Sequence, residues 1–227
     1  MKFLIKMVNE GKLLRKKINK NIDEDNIREL NFEGHNLGPL DIQYLISFNL
    51  KNLYALNLNN NSILSKGAYY LSQSYFSPLG HLNLNNNKIC DEGLNYISNG
   101  FLDKLTILYL SDNCLTSEGI KYLIKAKFIN NLVILDLSEN QISDNGIKYM
   151  IEHKEWEQLK LLFFDNTGLT DISLDYFSKD IMSKLEKLYV RGNKVTDNAK
   201  QSINVLRKNH IQVIVKPEDE KKFEDLY

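Results

Sequence analysis

The residues able to do chemistry are few and scattered. The 227-residue chain has two cysteines, Cys90 and Cys114, and four histidines, His35, His81, His153 and His210. A thiol becomes a nucleophile when a base or a positive neighbour draws off its proton. Neither cysteine has such a partner near it in sequence. Cys114 follows Asn113 in a polar turn and reads as an exposed, non-catalytic thiol. Cys90 reads as a small packing residue. The Cys and His spacings match no zinc pattern, and no glycine-rich phosphate loop is present. The sequence therefore points away from an enzyme, and it calls for no cofactor and no metal.

Composition narrows the class. With 43% hydrophobic and 26% charged residues the chain reads as globular. Its 29 basic and 29 acidic residues cancel, which argues against a molecule-wide nucleic-acid surface. Two cysteines make no disulfide framework and fit free thiols in a reducing compartment. The opening apolar run is broken by Lys6, with no small-residue cleavage site after it. No segment approaches the roughly 18 apolar residues of a membrane span. The expectation is a soluble, cytoplasmic monomer. Lys12, Arg15, Lys16, Lys17 and Lys20 read as a solvated basic face rather than a lipid or nucleic-acid site.

What positions these residues is a repeat. The string L-x-x-L-x-L-x-x-N-x-L recurs with conservative swaps from Ile27, Leu53, Leu79, Leu105, Leu132, Leu159 and Leu185. The steps between starts are 26, 26, 26, 27, 27 and 26 residues, and one further step of 26 reaches the closing strand at Ile211. Positions 1, 4 and 6 are apolar and face inward, while position 5 faces the other side, as the period of two demands. With these motifs the chain resembles the leucine-rich-repeat family, most closely its ribonuclease-inhibitor-like class. The resemblance covers residues 27 to 215. It implies an α/β right-handed solenoid, a horseshoe arc with parallel strands on the concave face and helices on the convex face. Because that class has repeats of about 28 residues, the shorter repeats here predict helices of about a turn and a half. Residues 1–26 would form an N-terminal cap, 27–215 the repeat domain of about seven repeats plus the closing strand, and 216–227 an acidic tail.

Two columns run along the arc. Position 9 is held by His35, Asn61, Asn87, Asn113, Asn140, Thr167 and Asn193. Its amides can pair with backbone groups that the turn strands, so it reads as a structural ladder. Nine residues further on stand Tyr44, Tyr70, Tyr96, Tyr122, Tyr149 and Tyr176. Each reads as a ring packed on the next helix with its hydroxyl in water, and alternatively as a convex docking ridge. Short polar residues at Cys90-Asp91, Thr116-Ser117 and Ser143-Asp144 are expected to cap the helices.

The concave positions change character halfway. The N-terminal half offers Asn57, Asn59, Asn60, Asn83, Asn85 and Asn86. The C-terminal half offers Ile107, Tyr109, Ile134, Asp136, Leu161, Phe163, Tyr189 and Arg191, rimmed by Asp112, Glu139 and Asp165. Contiguous apolar and aromatic side chains with a charged rim mark a protein-binding surface. The plainer reading is cross-strand packing, or cover by a terminus. The favoured function is a non-enzymatic module binding another protein there. One alternative is a GTPase regulator, since Ran GTPase-activating proteins resemble this fold, although no residue motif of theirs appears. Another is a bacterial effector secreted into a host cell, because the repeats and the acidic tail look like those of leucine-rich-repeat effectors.

Overall fold

The computed structural model describes residues 26–76, 78–153, 156–180 and 182–219. Eight three-residue strands form one sheet, and every adjacent pair is parallel. They are β1 (Glu29–Asn31), β2 (Ala55–Asn57), β3 (His81–Asn83), β4 (Ile107–Tyr109), β5 (Ile134–Asp136), β6 (Leu161–Phe163), β7 (Lys187–Tyr189) and β8 (Gln212–Ile214). Their spatial order is their sequence order. From β1 to β7 every pairing joins the same repeat position, as in Leu82 with Leu108 and Leu108 with Leu135. The 26- and 27-residue steps thus translate directly into register. The fold is the α/β solenoid arc expected from the repeat.

Among the described residues seven α-helices back the sheet: α1 (Pro39–Leu45), α2 (Leu64–Ser72), α3 (Cys90–Asn99), α4 (Ser117–Leu123), α5 (Ser143–Glu152), α6 (Asp171–Lys179) and α7 (Lys200–Lys208). Each is packed against the helix before and after it. They run 7 to 10 residues, which at 3.6 residues per turn is about two to almost three turns. The expected turn and a half is therefore too short. The strands take only three residues each, which leaves the helices more room. One apolar face per helix is buried, as with Leu94 and Ile97, Ile147 and Met150, and Leu174 and Phe177. Together with strand residues such as Leu56, Leu82, Leu108, Leu135 and Leu162 these form one continuous core.

The turn between strand and helix is built on left-handed backbone. Position 8 adopts it in every full repeat: Gly34, Asn60, Asn86, Asp112, Glu139, Asn166 and Gly192 have φ between 52° and 67°. Asn, Asp and Gly tolerate that region best, which accounts for part of the high count of 28 asparagines. Here the helix-cap expectation needs correction. Thr116 does cap α4, and Thr170 caps α6 in the same way, each accepting an N–H from the residue two ahead. Ser143 and Cys90 cap nothing. They sit at φ 57° and 55°, and their helices have no side-chain cap. Their neighbours Asp91 and Asp144 instead accept the N–H and hydroxyl of Thr116 and Thr170 in the following repeats. Asp171 does the same for Thr196. A second ladder therefore ties helix starts across repeats.

The expected cap at residues 1–26 lies outside the described residues except for Asn26, and of the tail only Lys216–Asp219 is described. The Asp219 carboxylate accepts the Val215 and Lys216 N–H groups and lies 3.8 Å from Arg207.

Candidate interaction face

The position-9 ladder is structural. The Asn113 side chain shows how it works. Its oxygen accepts the N–H groups of Asn87 and Ile89 in the previous repeat at 3.2 and 3.1 Å. Its nitrogen donates to the carbonyls of Leu84 and Ser111 at 2.8 and 3.0 Å. Asn61, Asn87, Asn140 and Asn193 repeat the arrangement. Asn113, Asn87 and Ile89 have no solvent exposure, so the two N–H groups have no water to turn to. The Thr167 hydroxyl donates to the Phe164 carbonyl at 2.6 Å and lies 3.4 Å from Asn193 Oδ1. His35 turns its Nδ1 to the Glu33 carbonyl at 2.7 Å.

In the N-terminal half of the concave face the amides are occupied by the fold. Asn57 and Asn83 each accept the N–H of the residue two ahead, which closes a turn at the strand end. The amides of Asn57 and Asn59 both donate to the Glu33 carboxylate, and Asn86 donates to Asn60. His81 meets Tyr54, Nε2 to phenol oxygen 3.1 Å.

The C-terminal half differs. Strand register sets Ile107 beside Ile134 and Ile134 beside Leu161 in one row, and Tyr109 beside Asp136 and Asp136 beside Phe163 in the next. All six side chains are half-buried. Burial pushes the Asp136 carboxyl up. Hydrogen bonds from the Ser138 backbone and hydroxyl oppose this only in part, and the charges of Asp165 and Glu139 add to the rise. Burial, and then the charge of Asp136, also pushes the Tyr109 phenol up. The face therefore holds a carboxylate in a partly desolvated, negative setting between two aromatic rings.

The last two residues of the expected patch are placed otherwise. Tyr189 is only 7% exposed. Its ring stacks on Phe163, centroids 4.3 Å apart and 15° from parallel. The Arg191 guanidinium lies 5.4 Å from the Tyr189 ring centroid and is 2.6 Å from the Asp165 carboxylate. Tyr189 thus serves as a wall behind Phe163 rather than as an open anchor, and Arg191 is already engaged. Gln212 and Ile214, at the matching positions of β8, are buried as well. The accessible patch runs from Ile107 to Phe163.

The six column tyrosines are all half-buried. Tyr70, Tyr149 and Tyr176 pack on the core, and the Tyr96 hydroxyl donates to Glu92. Sequence reasoning missed a different aromatic pair. Tyr75 and Phe101, in the loops after α2 and α3, are 83% and 51% exposed and stack with centroids 5.7 Å apart. Both stand 14 residues after their ladder asparagine, a position with no fixed residue type in the other repeats, so periodicity gives no signal there. Cys90 is half-exposed, against its expected packing role, because it begins its helix at the surface turn rather than on the inward face. Among the described residues no group of three or more His, Cys, Asp or Glu side chains could hold a metal ion, and no helix is long and apolar enough to cross a membrane.

An arc of parallel strands with structural ladders in its turns and side chains presented outward defines a class, the repeat scaffold. The particular family follows from the repeats. A leucine-rich-repeat family model matches residues 77–98, 103–123 and 129–150, and the strands on either side hold the same register. The chain carries leucine-rich repeats, and proteins built from them are generally non-enzymatic interaction scaffolds. No curated protein matches the chain.

Proposed function

We propose that this protein is a non-enzymatic module that binds another protein through the C-terminal half of its concave face. The observation that carries the reading is the contrast between the halves. The N-terminal amides hydrogen-bond to the fold and to one another. The C-terminal half presents two rows of half-exposed apolar and aromatic side chains around the Asp136 carboxyl. A partner that covers the patch gains apolar burial and meets Asp136 with a cation. Aromatic anchors next to a desolvated charge are the usual source of binding energy.

The test compares partner capture by wild type and two double variants. Tyr109→Ala with Phe163→Ala removes the concave anchors. Tyr75→Ala with Phe101→Ala removes as many rings from the loop edge. Truncating a central anchor typically costs about 2 kcal/mol, roughly thirtyfold in affinity. The concave pair is expected to lose the partners that wild type recovers, with its thermal melt little changed. The loop-edge pair should retain them. Loss in the loop-edge pair with retention in the concave pair refutes the reading.

A further inference from the structure

The only two cysteines of the chain lie 24 residues apart in sequence, in successive repeats, and the fold brings them together. The Cys90 N–H donates to the Asn113 carbonyl at 2.8 Å, so the Cys90 backbone lies one rung from the peptide that leads into Cys114. Neighbouring parallel chains are about 4.8 Å apart, within the roughly 4.4–6.8 Å between Cα atoms that disulfides span. The Cys90 thiol donates to the Lys88 carbonyl at 3.6 Å, and the nearby Cys114 side chain adds to the rise of its pKa. Cys114 is exposed and Cys90 half-exposed, so a small reagent can reach them. Both have left-handed backbone, φ 55° and 57°, and the buried Asn113 amide holds the turn between them in place.

We propose that Cys90 and Cys114 are a redox-active dithiol that closes to an inter-repeat disulfide by exchange with a low-molecular-weight disulfide. The Cys114 thiolate attacks one sulfur of the small disulfide. Its S–S bond breaks, one small thiolate leaves, and a mixed disulfide remains on Cys114. The Cys90 thiolate then attacks the Cys114 sulfur, the mixed bond breaks, and the second small thiolate leaves. The two protons released by the cysteines are taken up by the two small thiolates. The dithiol is oxidised by two electrons and the reagent is reduced to two thiols. Cys114 acts first because it is the more exposed. Burial, the nearby Cys114 side chain, and then the charges of Asp91 and Glu92 hold the Cys90 thiol above its usual range. The closing step therefore speeds up as pH rises, because only the thiolate attacks.

The experiment uses the full chain, reduced and freed of reductant, then incubated with oxidised glutathione at neutral and at mildly alkaline pH. Intact mass and peptide mapping after alkylation give the readout. Wild type is expected to lose two hydrogens, carry no glutathione, and yield one cross-linked peptide joining Cys90 to Cys114, faster at the higher pH. Its thermal midpoint should rise by roughly 5 °C on oxidation, because the bond restrains the unfolded chain. Cys90→Ser should instead keep a stable glutathione adduct on Cys114 and show no such rise. Wild type that ends with two adducts, as disulfide-linked dimers, or with both thiols still open to alkylation overturns the proposal. Because wild type alone decides, a poorly folding variant cannot mask the result.

Discussion

Under the proposed function, Asp136 is expected to act in opposite directions on folding and on binding. Its carboxyl is held above the ordinary 3.8, first by burial, so folding disfavours the ionised form. The penalty is complete above the folded-state pKa. It shrinks as pH falls through that value, and it is gone below the unfolded value of 3.8. Asp136→Asn keeps an oxygen for the Ser138 N–H, 2.9 Å away, and carries no charge. Urea melts should show the variant more stable than wild type at neutral pH, with the difference closing by about pH 3.8. The same variant should bind the partner less well. A variant equally stable at every pH would remove the claim that this site trades stability for recognition. Tyr109, Asp136 and Phe163 were legible in the sequence because period two fixes which strand residues face outward. The burial of Tyr189 was not, since side-chain alternation gives a direction and not what lies in that direction. Nor did the sequence show that Asn57 and Asn83 close turns, which makes them poor controls for a binding experiment.

At the scale of the strand and its turn, the ladder makes a quantitative claim. Asn113→Ala strands the buried Asn87 and Ile89 N–H groups and should cost about 2 kcal/mol. Thr167 offers the converse test. Its hydroxyl donates to Phe164, and it does not take up the Asn140 and Ile142 N–H groups as an asparagine at that position would. Thr167→Asn is expected to complete the ladder and raise stability by roughly 1 kcal/mol, read as a shift in the urea midpoint. A lowered midpoint would mean that the sixth repeat has no room for the amide. The position-9 column was plain in the sequence because its period is the repeat itself. The Asp–Thr ladder was hidden, although Asp144 and Thr170 are bonded. It pairs the fourth residue after one ladder position with the third residue after the next, and each looks like a local cap when its own repeat is read alone. In Asp144 burial pushes the carboxyl up, but the Ser173 and Thr170 hydrogen bonds outweigh it and leave it below the ordinary value.

Across the whole molecule, order in sequence is order in space. Among the described residues eight strands and seven α-helices follow one another along the arc, and each repeat is sealed by its neighbours. The repeat period was enough to anticipate this architecture, because a single repeat cannot bury its own apolar face. Helix length was less legible, since it depends on how few residues the strand consumes. One consequence is that the protein has a natural unit of length. The 26 residues from Leu53 to Pro78 form a complete repeat. Excising them would bring β1 against β3, with Leu30 beside Leu82 in place of Leu56, and would offer the Asn87 amide to the Leu37 N–H that Asn61 now serves. The shortened chain should still melt cooperatively, at a lower temperature, and should keep the proposed binding face, which lies beyond the cut. Removing only half that length, Leu53–Ser65, should instead give an aggregating product, because Asn52 would lead into the middle of α2 with the β2 strand and the Asn61 rung gone. Such a chain can shorten or lengthen only in whole steps, so the arc is counted in repeats much as a ruler is counted in divisions.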